Sequence, residues 1–114
     1  MASPPFQISG QPGKSGVHIL TARGPITFAS SSLLYDAVIS VPASRLIIDM
    51  SQVPSVDSMA VGALVRAYVH CQKAGKKLAF VGLSPRVRVV LHLTGVDPLF
   101  ETYPTLQDAE DGFA

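Results

Sequence analysis

The sequence predicts a single α/β domain over residues 1–114, built on a mixed sheet of four to five strands flanked by helices. Three observations carry that expectation. Short apolar runs alternate with segments of helical periodicity, the pattern of parallel strands joined by helices. Two strand-like runs near the N-terminus flank a turn rich in glycine and proline. At 114 residues the chain is long enough for one core and too short for two.

The elements follow in order. "FQIS" and "GVHILTA", joined by "GQPGKSG", form an N-terminal hairpin across about residues 5–23. After "RGPI", serines 30 to 32 precede Leu34, Ala37, Val38 and Val41, a helical apolar spacing that Pro42 ends, so residues 31–41 are the first helix. "RLIIDM" is a short apolar run suited to a strand buried on both faces. From Ser58 to about Ala74, Val61, Leu64, Val65, Tyr68 and Gln72 recur at helical spacing, and Gly75 supplies the stop of the longest helix. "KKLAFVGL" is the next buried strand. "SPRVRVVLHLTGV" has Ser84 as N-cap, Pro85 at the first helical position and Gly95 at the end. A short strand near "LFETY" and a turn of helix in "TLQDAEDGF" complete the chain, which has no internal repeat or low-complexity segment.

Composition narrows function. The chain is 47% hydrophobic with a formal net charge of +1, a surplus of apolar surface that permits a protein partner or a homodimer. No apolar run approaches the roughly 18 residues of a membrane span, and "MASPPFQISG" has no signal-peptide pattern, so no membrane insertion and a cytoplasmic address are expected. Between Ser58 and Val96 stand Arg66, Lys73, Lys76, Lys77, Arg86 and Arg88 with no acid, while the tail carries Asp97, Glu101, Asp108, Glu110 and Asp111. That split suits complementary protein contacts or two solvated surfaces; no basic run interleaved with aromatics points to nucleic acid.

Catalytic constellations are absent. His18, His70 and His92 lie far apart, no Cys pairs with Cys71, and no His-x-x-x-His or Cys-x-x-Cys spacing indicates a metal. "GQPGKSG" fails the spacing of a phosphate loop, so no cofactor is expected and the chain reads as no enzyme. Cys71 reads as a small, partly buried residue.

The informative stretch is "SVDSMAVGAL", residues 55–64. Asp57 is suited to cap the following helix, with Ser55 beside it, which places Ser58 at the first helical position. A phosphate on Ser58 would add a charge of roughly −1.5 to −2 where a helix start favours anions. Met59, Ala63, Arg66, His70 and Lys73 fall on the stripe opposite the sheet-facing residues, and Met59 there suits an adaptable contact.

"LIIDMSQVPSVDSMAVGAL" followed by "GKKLAFVGLSPRVRVVLHLTGV", with "GPITFASSSLLYDAV" upstream and "LFETYPTLQDAE" downstream, resembles the STAS domains of bacterial anti-sigma factor antagonists across nearly the whole chain. The resemblance implies a STAS-like fold and a non-catalytic protein that binds an anti-sigma factor with serine kinase activity. The kinase inactivates the antagonist by phosphorylating a serine, and a serine phosphatase restores it. The family pattern D-S-[ST]-G-[LIV]-G is met at Asp57, Ser58, Val61 and Gly62, and departed from at Met59 and Ala60. By that pattern Ser58 is the phosphoacceptor, with Asp57 and Ser55 as its surroundings, and the pattern together with the outward stripe of the helix makes Met59, Ala60, Gly62, Ala63, Arg66 and His70 the partner-binding residues. Two other readings stand beside it: a STAS subunit of a membrane transport assembly, such as a lipid-trafficking ABC transporter, and a small enzyme or nucleotide-binding protein using residues 57–58.

Overall fold

The computed structural model describes residues 5–112. Strands β1 (Gln7–Pro12), β2 (His18–Arg23), β3 (Arg45–Gln52), β4 (Lys77–Val81) and β5 (Glu101–Tyr103) lie side by side in chain order. β1 and β2 pair antiparallel, and every later pair is parallel. The sheet is therefore mixed. Helices α1 (Ser31–Ile39), α2 (Val61–Lys73), α3 (Pro85–Leu93) and α4 (Leu106–Gly112) occupy the connections and the C-terminal end.

Strand pleating assigns alternate residues to opposite faces. Leu20, Leu46, Ile48, Met50, Leu78 and Phe80 face one layer, where Leu34 and Val38 of α1, Val61, Leu64 and Ala67 of α2, and Val87 and Leu91 of α3 close over them. Ile19, Ile47, Ala79 and Val81 face the other way, against Ala109 of α4. Leu46, Ile47 and Ile48 are all fully buried, so β3 is enclosed on both faces, as its unbroken apolar run requires. The tilted ring pair Phe80–Phe100, with centroids 4.9 Å apart, seals the β5 side.

The hairpin differs from its sequence reading in one respect. β1 runs on through Gly10 and Gln11 to Pro12, which pairs with His18. Proline is tolerated there because β1 is an edge strand and needs no second ladder partner. The turn is confined to residues 13–17, closed by Gly13 N donating to Val17 O at 2.7 Å, with Ser15 left-handed at φ 57°.

Helix ends obey local chemistry. Ser84 Oγ accepts from Val87 N at 3.2 Å and Pro85 opens α3. α2 and α3 finish alike: Lys76 N donates to Cys71 O and Gly75 N to Gln72 O, and Val96 N donates to Leu91 O and Gly95 N to His92 O. Gly75 (φ +71°) and Gly95 (φ +75°) supply the left-handed residue of these Schellman motifs.

The start of α2 corrects the sequence reading. The helix begins at Val61, and residues 58–60 form a tight turn ahead of it. Ala60 N and Val61 N both donate to Asp57 O, at 3.1 and 3.3 Å, and Gly62 N donates to Met59 O. Three-residue and four-residue bonds are thus mixed across the entry before the regular helical pattern sets in. Ser58 belongs to that entry turn.

No helix among the described residues is long and apolar enough to cross a membrane.

Candidate functional site

Two segments leave the sheet side by side and are joined as far as Asp57, the residue before Ser58. Gly24 N donates to Gln52 O, Ile26 N to Ser55 O, and Asp57 N to Ile26 O, each at 3.0 Å, with a parallel bridge between Ile26 and Val56. Ile26, Val53 and Val56 are buried beneath this zipper. The apolar residues anchor the loop from below, and the polar ones between them are left at the surface.

Asp57 joins the two segments. Its Oδ1 accepts from Ala60 N at 2.7 Å, capping the entry turn, and its Oδ2 accepts from Phe28 N at 3.2 Å. One carboxylate therefore fixes both the start of α2 and the backbone of the neighbouring segment. Ser55 contributes its backbone carbonyl to Ile26 rather than a side-chain cap.

Ser58 follows, exposed, and its hydroxyl makes no hydrogen bond among the described residues. Met59 is 65% exposed beside it, and Phe28, whose backbone N–H Asp57 holds, is also 65% exposed. Gly62 is half-buried, Arg66 is exposed and His70 is half-buried on the outer side of α2. Ala60 and Ala63, read from the sequence as partner-facing, are completely buried. With α1 packed against α2 and no surface left exposed on either residue, neither alanine offers an atom to a partner.

Further along, α1 and α2 form a shallow groove of about 400 Å³ lined by Tyr35, Val65, Arg66, Val69, His70 and Lys73. Arg66 lies over the Tyr35 ring, 5.9 Å from its centroid, and His70 meets that ring edge-on at 6.4 Å. Cys71 faces inward, and burial pushes its thiol pKa up against the opposing influence of Lys76. No cluster of three or more metal-ligating side chains occurs among the described residues.

Phe28 and Tyr35 were not legible as site residues. Phe28 sits in the polar run "TFASSS", and a lone aromatic there is the only local signal it gives. Tyr35 looks like an ordinary helix residue until α1 is laid against α2.

A small five-stranded mixed sheet, helices on both faces and a serine-bearing turn at the start of α2 define a class, and comparison with known proteins identifies it. A family model described as the STAS domain matches residues 11–109. The chain belongs to the STAS domain family. Anti-sigma-F factor antagonist RsfB of Mycobacterium tuberculosis is 30% identical to it over 103 residues, 86% of this chain and 82% of RsfB. The crystal structure of an anti-sigma factor antagonist from Mycobacterium paratuberculosis superimposes with a TM-score of 0.82 at 28% identity, covering 95% of this chain and 93% of that one. SpoIIAA of Bacillus in its phosphorylated form has a TM-score of 0.68 at 14% identity, covering 95% of this chain and all (100%) of SpoIIAA. That last likeness is one of fold alone.

Proposed function

We propose that this protein is an anti-sigma factor antagonist, a cytoplasmic binding module whose hold on an anti-sigma factor is released by phosphorylation of Ser58. The observation that carries the reading is the presentation of Ser58: an exposed hydroxyl on a turn capped by Asp57, next to the exposed Met59, with the backbone N–H of the exposed Phe28 bonded to the same Asp57 carboxylate. RsfB and the Mycobacterium paratuberculosis protein, both anti-sigma factor antagonists, support the partner class.

In the unphosphorylated state Met59 and Phe28 supply apolar contact area at the rim of a face whose charged side chains include Asp57 and Arg66. The anti-sigma factor's kinase transfers the γ-phosphoryl group of ATP: the Ser58 Oγ–P bond forms, the bond to the ADP leaving group breaks, and the hydroxyl proton passes to a base on the kinase. The phosphoserine then places roughly −1.5 to −2 charges at the docked surface. Burying that charge against a partner shaped for a neutral hydroxyl is costly, so the complex dissociates. A phosphatase reverses the step by hydrolysis of the phosphate ester.

The experiment is to express the chain with each anti-sigma factor kinase of its host, map phosphate by mass spectrometry, and measure binding to the same proteins. Phosphate is expected on Ser58 and to be lost in Ser58→Ala, which still binds. Ser58→Asp is expected to bind at least roughly tenfold more weakly. Absence of phosphate with every kinase, together with full binding by Ser58→Asp, would refute the reading.

A further inference from the structure

On α2 an arginine leans back along its own helix toward Ser58. A Cβ placed on Gly62 would stand 3.5 Å from Arg66 Nη1, so the guanidinium lies over the bare backbone one turn before its own. Its other contact is the face of Tyr35, 5.9 Å from Cζ to the ring centroid. Among the described residues Arg66 forms no ion pair with a carboxylate. Residues four apart on a helix hold their Cβ atoms about 5–6 Å from each other. Ser58 is four residues before Gly62, in the entry turn where Val61 N already donates to Asp57 O in the four-residue pattern, so it lies about one turn ahead of Gly62, close enough for a phosphate on its Oγ to meet a guanidinium resting over Gly62.

We propose that Arg66 is the intramolecular receptor for the phosphate on Ser58, leaving the Tyr35 ring to grip the phosphate oxygens. This rests on the reading of Ser58 as phosphoacceptor and adds the regulation of that site. The planar fork of arginine matches two phosphate oxygens, a stronger hold than an exposed cation–π contact. Phosphorylation therefore alters the face twice: an anion arrives at Ser58, and the cation at Arg66 is withdrawn from any partner. Gly62 keeps the path between them open, because a long side chain there would occupy the space the guanidinium crosses.

The other charged groups around this path are few. Asp57 is adjacent to Ser58 and opposes a phosphate, Asp36 follows Tyr35 on α1, and His70 and Lys73 stand further along α2 in the Tyr35 groove. Only Arg66 is directed toward Gly62.

The test installs phosphoserine at position 58 during translation and follows the phosphate by phosphorus NMR across pH, in the parent chain and in Arg66→Gln and Arg66→Lys. The second phosphate pKa, ordinarily about 6, is expected to lie at least about half a unit lower in the parent than in Arg66→Gln, since a bound cation favours the dianion. Arg66→Lys recovers part of the shift, having charge without the fork. Tyr35 ring-proton resonances move on phosphorylation in the parent and stay still in Arg66→Gln. Equal pKa values in parent and Arg66→Gln, or an unmoved Tyr35 ring in the parent, would overturn the proposal. Because no kinase is used, the two readings fail separately: kinases that ignore Ser58 count against the proposed function alone, and identical titrations count against the Arg66 clamp alone.

Discussion

Asp57 and Phe28 are 29 residues apart in sequence, yet Asp57 Oδ2 accepts the Phe28 backbone N–H at 3.2 Å while Oδ1 caps Ala60 at 2.7 Å. The side chain that starts α2 also ties the segment bearing Phe28 to the turn that carries Ser58. Helix capping and site assembly are one interaction here.

Asp57→Ala is accordingly expected to cost more than a simple cap. Loss of an N-cap is worth about 1 kcal/mol, and the charge-assisted bond to Phe28 N adds to it. Urea denaturation should show a loss of about 1–3 kcal/mol. Asp57→Asn, which keeps an acceptor oxygen, should lose less than half as much; an equal loss in both would show that the cap geometry is not the cause.

Phe28→Ala and Met59→Ala should separate binding from folding. Both side chains are 65% exposed and leave no cavity, so each stability change should stay within about 0.5 kcal/mol. Under the proposed function each weakens binding to the anti-sigma factor. Calorimetry that finds the affinity unaltered in both would remove this patch from the interface.

Gly82→Ala should be among the most damaging small substitutions. Gly82 follows β4 at φ +69°, and an added Cβ would meet Ser51 Cβ at 2.9 Å and Ser51 Cα at 3.1 Å. Strain and overlap together should cost about 2–4 kcal/mol. Gly95→Ala, with φ +75° but open space around it, should cost about 1 kcal/mol. Thermal melts that rank the two in the opposite order would contradict the packing of β3 against the β4 end.

Two groups give the protein an alkaline limit. The hydrogen bond to Glu101, with burial and the carboxylate's charge, pushes the Tyr103 phenol up to about 12 from its ordinary 10, and burial raises the Cys71 thiol. A proton held more tightly in the folded state stabilises it fully below the unfolded pKa, and that contribution is lost as pH rises through the folded value. Stability should therefore fall between about pH 9 and 12. Tyr103→Phe should remove a phenolate that forms near pH 12 in ultraviolet absorbance, and native Cys71 should react with iodoacetamide far more slowly than unfolded chain.

Much of this molecule was legible in its residues. Ser84, Pro85 and Gly95 bracket α3 because capping and turn preferences act within a few residues. The continuous apolar runs around Ile47 and Ala79 identified strands buried on both faces, since a surface strand alternates instead. The family pattern drew attention to Asp57 and Ser58 for the same reason: their chemistry is local.

The misplaced residues were those whose surroundings come from elsewhere in the chain. Helical periodicity put Ala63 on the outer stripe because it counts one buried face, whereas α2 has two, one against the sheet and one against α1. Ser58 was placed inside the helix because spacing does not show that Ala60 N and Val61 N converge on one carbonyl.

By itself the sequence determined the fold class, the order of its strands and helices, and the acid and hydroxyl at the entry to α2, all of which follow from propensities and spacings within a short stretch. Only the tertiary structure decided that the Phe28 N–H is held by the Asp57 carboxylate and that Arg66 rests between Tyr35 and the open backbone of Gly62. Those neighbours are set by packing between segments distant in the chain, where no local preference acts.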